Sequence, residues 1–562
     1  MDMDDVLAEI GEWGRYQKLV VWLILLPGVL PCGFHAYDQL FMAAVPPHWC
    51  RVPELDPWVQ NHMNHVINIS IPFENKDGTW KPNECNVYVR NYSTLSKLSG
   101  LQQFINVPFD TPTKFCDHGW HFDRSDYIST VVTEWNLVCD KKFYLTLALM
   151  LFGVGGLVGN YIFGYVQDSL GRRPAFFIYL AIQCFFGIAT AFARDYTTWL
   201  IFRIGVGFTV PAILGTPYVL AIELVGTKKR TLCTILINIA YSLALILLAI
   251  LVWAIRDWRL LALSTTLPFV SFFLFWWALP ESPRWLLARG KFQEADKIFR
   301  KIARMNKTRL PPNYLTLLKR KYDSDRLLSK KSDTQHYGVL DLFKTPNLCQ
   351  KTLIITFIWF TNTSVYVGLS YYAPALGGDE FLNFFLAGAV ELPTYIFLWP
   401  AMDWIGRRWT LCASMIIGGV ACLATFLVKN DSEITLALYC IGKMGISSSF
   451  VVLPLMASEL YPTVVRGLGM SMSSVLGMLG PIFIPLVNYL GGEMLILPLL
   501  IMGVLLIAGG ISSLLLPETL GQTLPQSLAD GEKIGIGCMN LCNTRDQKEE
   551  NKLKMKSEET AV

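Results

Sequence analysis

The sequence contains few charged residues. Asp, Glu, Lys and Arg make up 16% of its 562 residues, whereas hydrophobic residues make up 52%. A typical soluble domain has about 25% charged residues, so this composition excludes an ordinary soluble protein and indicates a membrane protein. The net charge of +4 is small and lies in particular loops, which argues for membrane topology and against nucleic-acid binding.

The motifs of several enzyme classes are absent. The chain has no Gly-rich phosphate loop ending in Lys-Ser/Thr, no His-Glu-x-x-His and no Gly-x-Ser-x-Gly elbow. We therefore predict that it is not an enzyme and that gradients, not nucleotide hydrolysis, drive any movement of substrate. His62 and His65 are three residues apart, but they fall in an expected loop without a carboxylate ligand, so we predict no metal and no cofactor.

Long apolar runs define the expected fold. Each is close to the roughly 20 residues that a helix needs to cross a membrane. After a polar segment, 1–18, they lie near Leu19 to Val45, 143–166, 175–194, 198–222, 231–255, 258–279, 351–374, 381–402, 409–428, 432–457, 466–490 and 493–516. We predict an all-α membrane protein with twelve transmembrane helices in two six-helix halves, 19–279 and 351–516.

Short motifs occur twice along the chain. Gly164 to Arg173 is repeated around Met402 to Arg408, and the segments beginning at Glu223 and Pro280 are repeated at Glu459 and Pro517. The copies are separated by about 235 residues in each case, and a constant offset indicates an internal duplication. The duplicated unit is half of the protein.

Lys and Arg in the short loops indicate the orientation. They fall in alternate loops, on the same side as a basic linker at 280–350, and positive loop residues mark the cytoplasmic side. We predict that both termini are cytoplasmic and that 517–562 is a cytoplasmic tail. The loop cations are Arg172, Arg173, Lys228, Lys229, Arg230, Arg407, Arg408 and Arg466.

A long segment, 46–142, separates the first two apolar runs. It is expected to be extracellular because it contains four cysteines and two glycosylation acceptor patterns, at Asn68 and Asn91. Two disulfides are predicted, but the sequence leaves all three pairings open. The cysteines are Cys50, Cys85, Cys116 and Cys139.

The chain ends in Thr560-Ala561-Val562. A Thr two places before a terminal Val is the form that PDZ domains bind, by adding the tail as a strand and binding its carboxylate. A PDZ-domain protein is therefore a candidate partner, besides the lipid bilayer.

These motifs together resemble a known family. Gly164 to Arg173 and its repeat resemble the loop signature of the major facilitator superfamily. Ser129 to Cys139, Pro280 to Leu286 and Pro517 to Gly521 resemble its organic cation, carnitine and organic anion transporter family. The resemblance covers nearly the whole chain and implies the major facilitator fold, transport by alternating access and a plasma-membrane location.

The resemblance also implies a gate. In this family, charged networks at the loop signatures hold the cytoplasmic gate closed while the protein faces outward, and they break as the two halves rock about a midplane site. The residues that match are Asp168, Arg172, Arg173, Glu223, Arg230, Glu281, Asp403, Arg407, Glu459, Arg466 and Glu518.

Charges within the apolar runs are candidates for the transport path, because charge in a membrane is costly. These are Asp38, with His35 on the same face, Arg203, Glu391 and Lys443. We favour a substrate-binding role for Glu391, and Arg203 and Lys443 are candidate partners of the buried carboxylates. Asp38 is a second candidate for binding a substrate cation.

Aromatic residues add to the predicted site. Trp359, Asn362 and Tyr366 recur at helical spacing, and the family's cation transporters have a Trp and a Tyr at this separation in their cavity. Aromatic faces attract ammonium groups. The alternative for such a stripe is simple packing. Tyr218 and Tyr241 are further candidates of the same kind.

Two positions bear on the charge of the substrate. By resemblance, anion carriers have Lys where this chain has Tyr395 and Arg where it has Met478. The main cation carriers have Asp at the Met478 position and carnitine carriers have Arg, so this chain matches none of the three patterns there. We predict a plasma-membrane transporter of small organic cations or zwitterions. The alternatives are an organic anion exchanger and, from another class, a transporter-like receptor or scaffold.

Overall fold

The computed structural model describes most of the chain. The described residues are 3–76, 79–93, 107, 111–226, 229–331, 339–428, 432–462, 465–491, 497–520, 525 and 531–532. The C-terminal residues Thr560, Ala561 and Val562 lie outside them.

Long apolar helices dominate the structure. Eleven helices within the described residues are long and apolar enough to cross a membrane, and a shorter apolar helix, Leu497–Ser513, follows them. The eleven are Arg15–Met42, Cys139–Leu170, Arg172–Ala191, Tyr196–Leu224, Arg230–Ala254, Trp258–Trp276, Pro346–Leu376, Glu380–Trp404, Arg407–Leu427, Ser432–Leu460 and Arg466–Leu490. These eleven helices and Leu497–Ser513 correspond one by one to the twelve predicted apolar runs. We number all twelve as spans in chain order.

The helices form two compact units. The N-terminal unit comprises the described residues of Gln17–Leu224 and Leu243–Trp285. The C-terminal unit comprises those of Met1–Tyr16, Val225–Ser242 and Leu286–Val562. The first part of the fifth span therefore belongs to the C-terminal unit.

Two spans of the C-terminal unit are interrupted. The eighth consists of Glu380–Ala389 and Glu391–Trp404, and the eleventh of Arg466–Gly477 and Gly480–Leu490. Pro393 and Pro481 explain the breaks, since proline has no N–H for the carbonyl four residues earlier and its ring clashes with that carbonyl. In the eleventh span that carbonyl belongs to Gly477, and the Thr363 hydroxyl lies 2.5 Å from it.

The segment between the first two spans is a small folded element, which we call the loop domain (His48–Lys141). It contains three antiparallel strand pairs, His48–Cys50 with Trp120–Phe122, Phe73–Lys76 with Thr79–Pro82, and Asn86–Tyr88 with Thr113–Phe115. His62 and His65 lie in its helix Asp56–Ser70, so the expectation that they are in a loop was wrong.

Two disulfides close the loop domain. They join Cys50 to Cys116 and Cys85 to Cys139, which selects one of the three pairings left open by the sequence. Trp49, Leu55 and Val66 belong to a buried core beside them. Asn68 and Asn91 are exposed. A segment too small for a large core is stabilised in this way by covalent cross-links.

Short helices follow the sixth span. They are Pro283–Ala288, Phe292–Asn306 and Tyr314–Lys331, with a 3-10 turn at Val339–Phe343. An N-terminal helix, Met3–Ile10, packs on Phe292–Asn306 and buries Val6 and Leu7 completely. The side chain of Asn306 fixes this contact, because its amide donates to the Ile10 carbonyl at 3.0 Å.

Candidate functional site

A buried carboxylate lies at the break in the eighth span. Glu391 is the first residue of the half-helix Glu391–Trp404 and is fully buried. The partial positive charge at a helix N-terminus favours a carboxylate there. A negatively charged side chain thus lies inside the C-terminal unit, at the start of this half-helix.

Four side chains satisfy the Glu391 carboxylate. Lys443 Nζ lies 3.2 Å from Oε1, and the Ser447 hydroxyl donates to the same oxygen at 3.0 Å. The Ser242 and Tyr395 hydroxyls donate to Oε2, the latter at 3.3 Å. These contacts give both oxygens of the buried carboxylate hydrogen-bonding partners, which a buried charged group requires.

The partner lysine also lies on an aromatic ring. Lys443 Nζ is 3.5 Å from the centroid of the Tyr366 ring and donates to Ser370 Oγ at 2.6 Å. Lys443 is fully buried as well. The site therefore has no net charge, because one carboxylate is matched by one ammonium group.

The predicted aromatic stripe extends from this pair along the seventh span. The Tyr366 ring is 5.2 Å from that of Phe450, which contacts Trp359 edge-on at 6.1 Å between centroids. The Asn362 carbonyl oxygen accepts a hydrogen bond from Ser449 at 2.8 Å, while its amide nitrogen is buried without a partner. The buried Trp359 Nε1 also has none.

The other predicted binding residues are distributed over both units. Tyr241 joins the cluster in the C-terminal unit, with its ring 6.4 Å from that of Tyr366. Met478 is half-buried at the end of the half-helix Arg466–Gly477, and Gly477 packs against Trp359. Tyr218 is half-buried in the fourth span, in the N-terminal unit.

Asp38 forms a different buried ion pair, within the N-terminal unit. Arg203 Nη2 donates to its Oδ1 at 2.6 Å, and His35 Nδ1 lies 3.0 Å from its Oδ2. Arg203 also donates to Gln39 Oε1 and to the His35 carbonyl, at 3.1 and 3.2 Å. Asp38 thus has two basic partners.

The first loop motif forms a compact network. Arg172 binds Glu223 with two hydrogen bonds, of 3.0 and 3.1 Å, and contacts Asp168 Oδ1 at 3.0 Å. Glu281 accepts from the backbone N–H of Arg172 at 2.9 Å, at the start of the third span. Burial raises the pKa of Glu281, although the N–H donors around it act in the opposite direction. Gly171 makes the turn possible with a φ of +107°.

The second loop motif repeats this arrangement with looser side-chain pairs. Glu518 accepts from the backbone N–H of Arg407 at 2.9 Å, beside Gly406 with a φ of +97°. Arg407 lies 3.6 Å from Glu459 and 3.8 Å from Asp403, outside hydrogen-bond range. The backbone hydrogen bonds are thus duplicated, whereas the side-chain pairs of the second motif are longer than those of the first.

The remaining predicted gate cations have separate partners. Arg230 donates to Asp4 of the N-terminal helix at 2.7 Å. The guanidinium of Arg173 lies over the Trp276 ring, 4.7 Å from its centroid. Arg466 Nε donates to the Tyr461 carbonyl at 3.3 Å.

Comparison with known proteins identifies the family. The sugar (and other) transporter family model matches residues 97–527. The beta-alanine transporter of Drosophila melanogaster is 55% identical over 99% of this chain and 93% of its own length. The organic cation/carnitine transporter 2 of Homo sapiens is 34% identical over 94% of this chain and 93% of its own. The chain belongs to the organic cation, carnitine and organic anion transporter family of the major facilitator superfamily.

A further relative agrees with this family, and a solved structure shows the fold. The carcinine transporter of Drosophila melanogaster is 41% identical over 95% of this chain and 79% of its own. The inward-open xylose transporter XylE from E. coli superposes with a TM-score of 0.56 at 16% identity, covering 90% of this chain and 98% of its own. The predictions of the family, the twelve-helix major facilitator fold and a membrane transporter that is not an enzyme are confirmed.

Several residues of the Glu391 cluster were not named by the sequence analysis. They are Ser242, Ser370, Ser447 and Phe450. Tyr395 was named for its bearing on substrate charge but not as a partner of Glu391. Spacing signals were present for two residues, because Tyr395 follows Glu391, and Ser447 follows Lys443, by four residues on the same helix face. Among the described residues, no group of three or more His, Cys, Asp and Glu could hold a metal ion.

Proposed function

We propose that this transporter carries small organic cations or zwitterions across the plasma membrane by alternating access. The observation that carries the proposal is the buried Glu391 carboxylate beside the Tyr366 ring. A carboxylate and an aromatic face are the two protein groups that attract an ammonium ion in a dry site. Relatives described as transporters of beta-alanine, carcinine and organic cations or carnitine support this substrate class.

The proposed binding site includes the aromatic stripe. Trp359, Tyr366 and Tyr241 would provide ring faces, and Asn362 would provide its unpaired amide nitrogen. An unpaired buried donor is costly, so a substrate oxygen that accepts from it would contribute to binding. Asp38, Tyr218 and Met478 remain candidate substrate-binding residues.

The two loop motifs form the proposed gate. We propose that the two halves are bounded by 19–279 and 351–516, and that the networks around Arg172 and Arg407 open and close during alternating access. Their partners, which include Glu223, Glu281 and Glu518, lie at loops and helix ends. We propose that these loops and both termini are cytoplasmic.

The loop domain would then be extracellular. The two disulfides and the exposed Asn68 and Asn91 favour this side, because disulfides persist and glycans are attached outside the reducing cytosol. On the opposite side, Thr560 to Val562 would bind a PDZ-domain protein.

The organic anion exchanger is the alternative transporter. Tyr395 argues against it, because its hydroxyl binds Glu391 and adds no positive charge to the site. The alternative of another class, a receptor or scaffold, depends on the tail. Uptake that persists after deletion of Thr560 to Val562 would count against it.

The test is uptake of a labelled panel of cations, zwitterions and anions by cells that express this chain, with and without Na⁺ and at two membrane potentials. We expect uptake of ammonium-bearing compounds above that of mock-transfected cells. Uptake limited to anions would reject the substrate assignment and leave the fold intact.

A further inference from the structure

Lys443 occupies the position that a substrate ammonium group would take. Its Nζ contacts both the Glu391 carboxylate, at 3.2 Å, and the face of Tyr366, at 3.5 Å from the ring centroid. These are the two attractive features of the proposed site. A substrate ammonium that binds Glu391 Oε1 and this face of the ring would therefore displace Lys443 Nζ.

Displacement would leave the ammonium group of Lys443 without its partner Glu391. Lys443 is fully buried in the tenth span, and an unpaired ammonium at such a position is strongly unfavourable. Ser370 Oγ, at 2.6 Å, provides a neutral acceptor but no negative charge. A substrate that carries only a positive charge would thus give the neutral site a net charge of one.

A zwitterion avoids this cost. Its ammonium group can take the place of Nζ on Glu391, while its carboxylate pairs with the displaced lysine. Lysine suits such an exchange because its charge is at the end of a flexible four-carbon chain. The Asp38 pair differs, since Arg203 has three further contacts on Gln39, His35 and Asp38 that restrict its guanidinium group.

We propose that Lys443 binds the substrate carboxylate and makes the transporter selective for small ammonium carboxylates over simple cations. The inference rests on the proposed function and narrows its substrate class. Lys443 is then a specificity-determining residue, in addition to being the resting partner of Glu391.

The experiment compares β-alanine with β-alaninamide, which has nearly the same shape but a neutral amide in place of the carboxylate. Initial uptake is measured per molecule at the cell surface. We expect wild type to take up β-alanine at least tenfold faster than the amide. Lys443→Gln should reduce this preference at least tenfold, mainly through lost β-alanine uptake.

Lys351→Gln is the matched control. Lys351 is the other buried lysine among the described residues of the C-terminal unit, and its Nζ donates to the Gly531 carbonyl at 2.9 Å, away from Glu391. This variant should keep the wild-type preference. A Lys443→Gln protein that keeps it, or that loses both substrates equally at normal surface density, would overturn the proposal.

Poor folding of Lys443→Gln would not prevent the test. Combining it with Glu391→Gln removes both buried charges. We expect β-alanine and the amide then to raise the melting temperature of the purified double variant equally. A larger rise with β-alanine than with the amide would overturn the proposal. Equal uptake of the two compounds by wild type would also reject the role of Lys443. Failure of wild type to take up any ammonium compound would instead reject the proposed function.

Discussion

At the scale of single residues, the two buried ion pairs differ in kind. Arg203 holds Asp38 through a planar guanidinium with several acceptors, whereas Lys443 holds Glu391 through one ammonium group that also lies on an aromatic ring. An ion pair held by several hydrogen bonds, as in Arg203 with Asp38, suits a structural role. The single ammonium group of Lys443 is better suited to being exchanged for a substrate ammonium. The four side chains are equally buried, so contact geometry distinguishes the pairs better than burial does.

Glu391→Gln should reduce uptake more than surface expression. The change removes the anion from the proposed site, but it also leaves Lys443 buried without its charge partner, which costs about 3 to 5 kcal/mol for comparable buried pairs. Adding Lys443→Gln should therefore restore melting temperature but not uptake. Cell-surface labelling and uptake assays separate the two effects, and wild-type uptake by the double variant would exclude a direct role for Glu391.

Asp38→Asn should mainly affect stability. Asn is neutral, so Arg203 loses its counter-charge in a fully buried position, and a loss of about 3 to 5 kcal/mol is expected. We expect lower surface density and a lower melting temperature. Uptake per surface molecule is the decisive measurement. A selective loss of cation uptake at normal density would support the original expectation that Asp38 binds substrate.

At the scale of elements, the repeated loop motifs place a carboxylate on the N-terminus of the following helix. Glu281 binds the start of the third span, and Glu518 that of the ninth. The turns require a positive φ, and Gly171 and Gly406 provide it. A methyl group at Gly171 would also lie 3.0 Å from the Glu281 carboxyl carbon, so the turn leaves no room for a larger residue.

Glu223→Gln should be more destabilising than Glu459→Gln. Glu223 accepts two hydrogen bonds from Arg172, whereas Glu459 is 3.6 Å from Arg407 and makes only a weak ion pair. A bidentate pair between charged groups is stronger than a single long contact. Thermal unfolding of the purified variants provides the comparison. Equal changes in melting temperature would show that the asymmetry has no energetic consequence.

At the scale of the whole molecule, orientation can be tested through glycosylation. Asn68 and Asn91 are exposed in the loop domain, so Asn68→Gln and Asn91→Gln should each increase electrophoretic mobility, and glycosidase treatment should remove the difference. The control is Asn306→Gln, because Asn306-Lys307-Thr308 has the same pattern on the proposed cytoplasmic side. A mobility change for Asn306→Gln alone would reverse the proposed topology.

The sequence by itself determined the membrane class, the twelve spans, the internal duplication and the family. These follow from run length, composition and repeated short motifs, all of which are local properties of the chain. The repeated loop motifs and the presence of Glu391 as a charge within a span were also readable, because charge in an apolar run is rare and costly.

Only the tertiary structure decided which side chains meet. It joined Cys50 to Cys116, paired Arg203 with Asp38, and brought Lys443 to Glu391 on the Tyr366 ring. Residues 52 positions apart along the chain, such as Glu391 and Lys443, become neighbours through packing of separate helices, which local periodicity does not encode. The breaks at Pro393 and Pro481 were hidden within apolar runs, because hydropathy measures composition and not backbone hydrogen bonding.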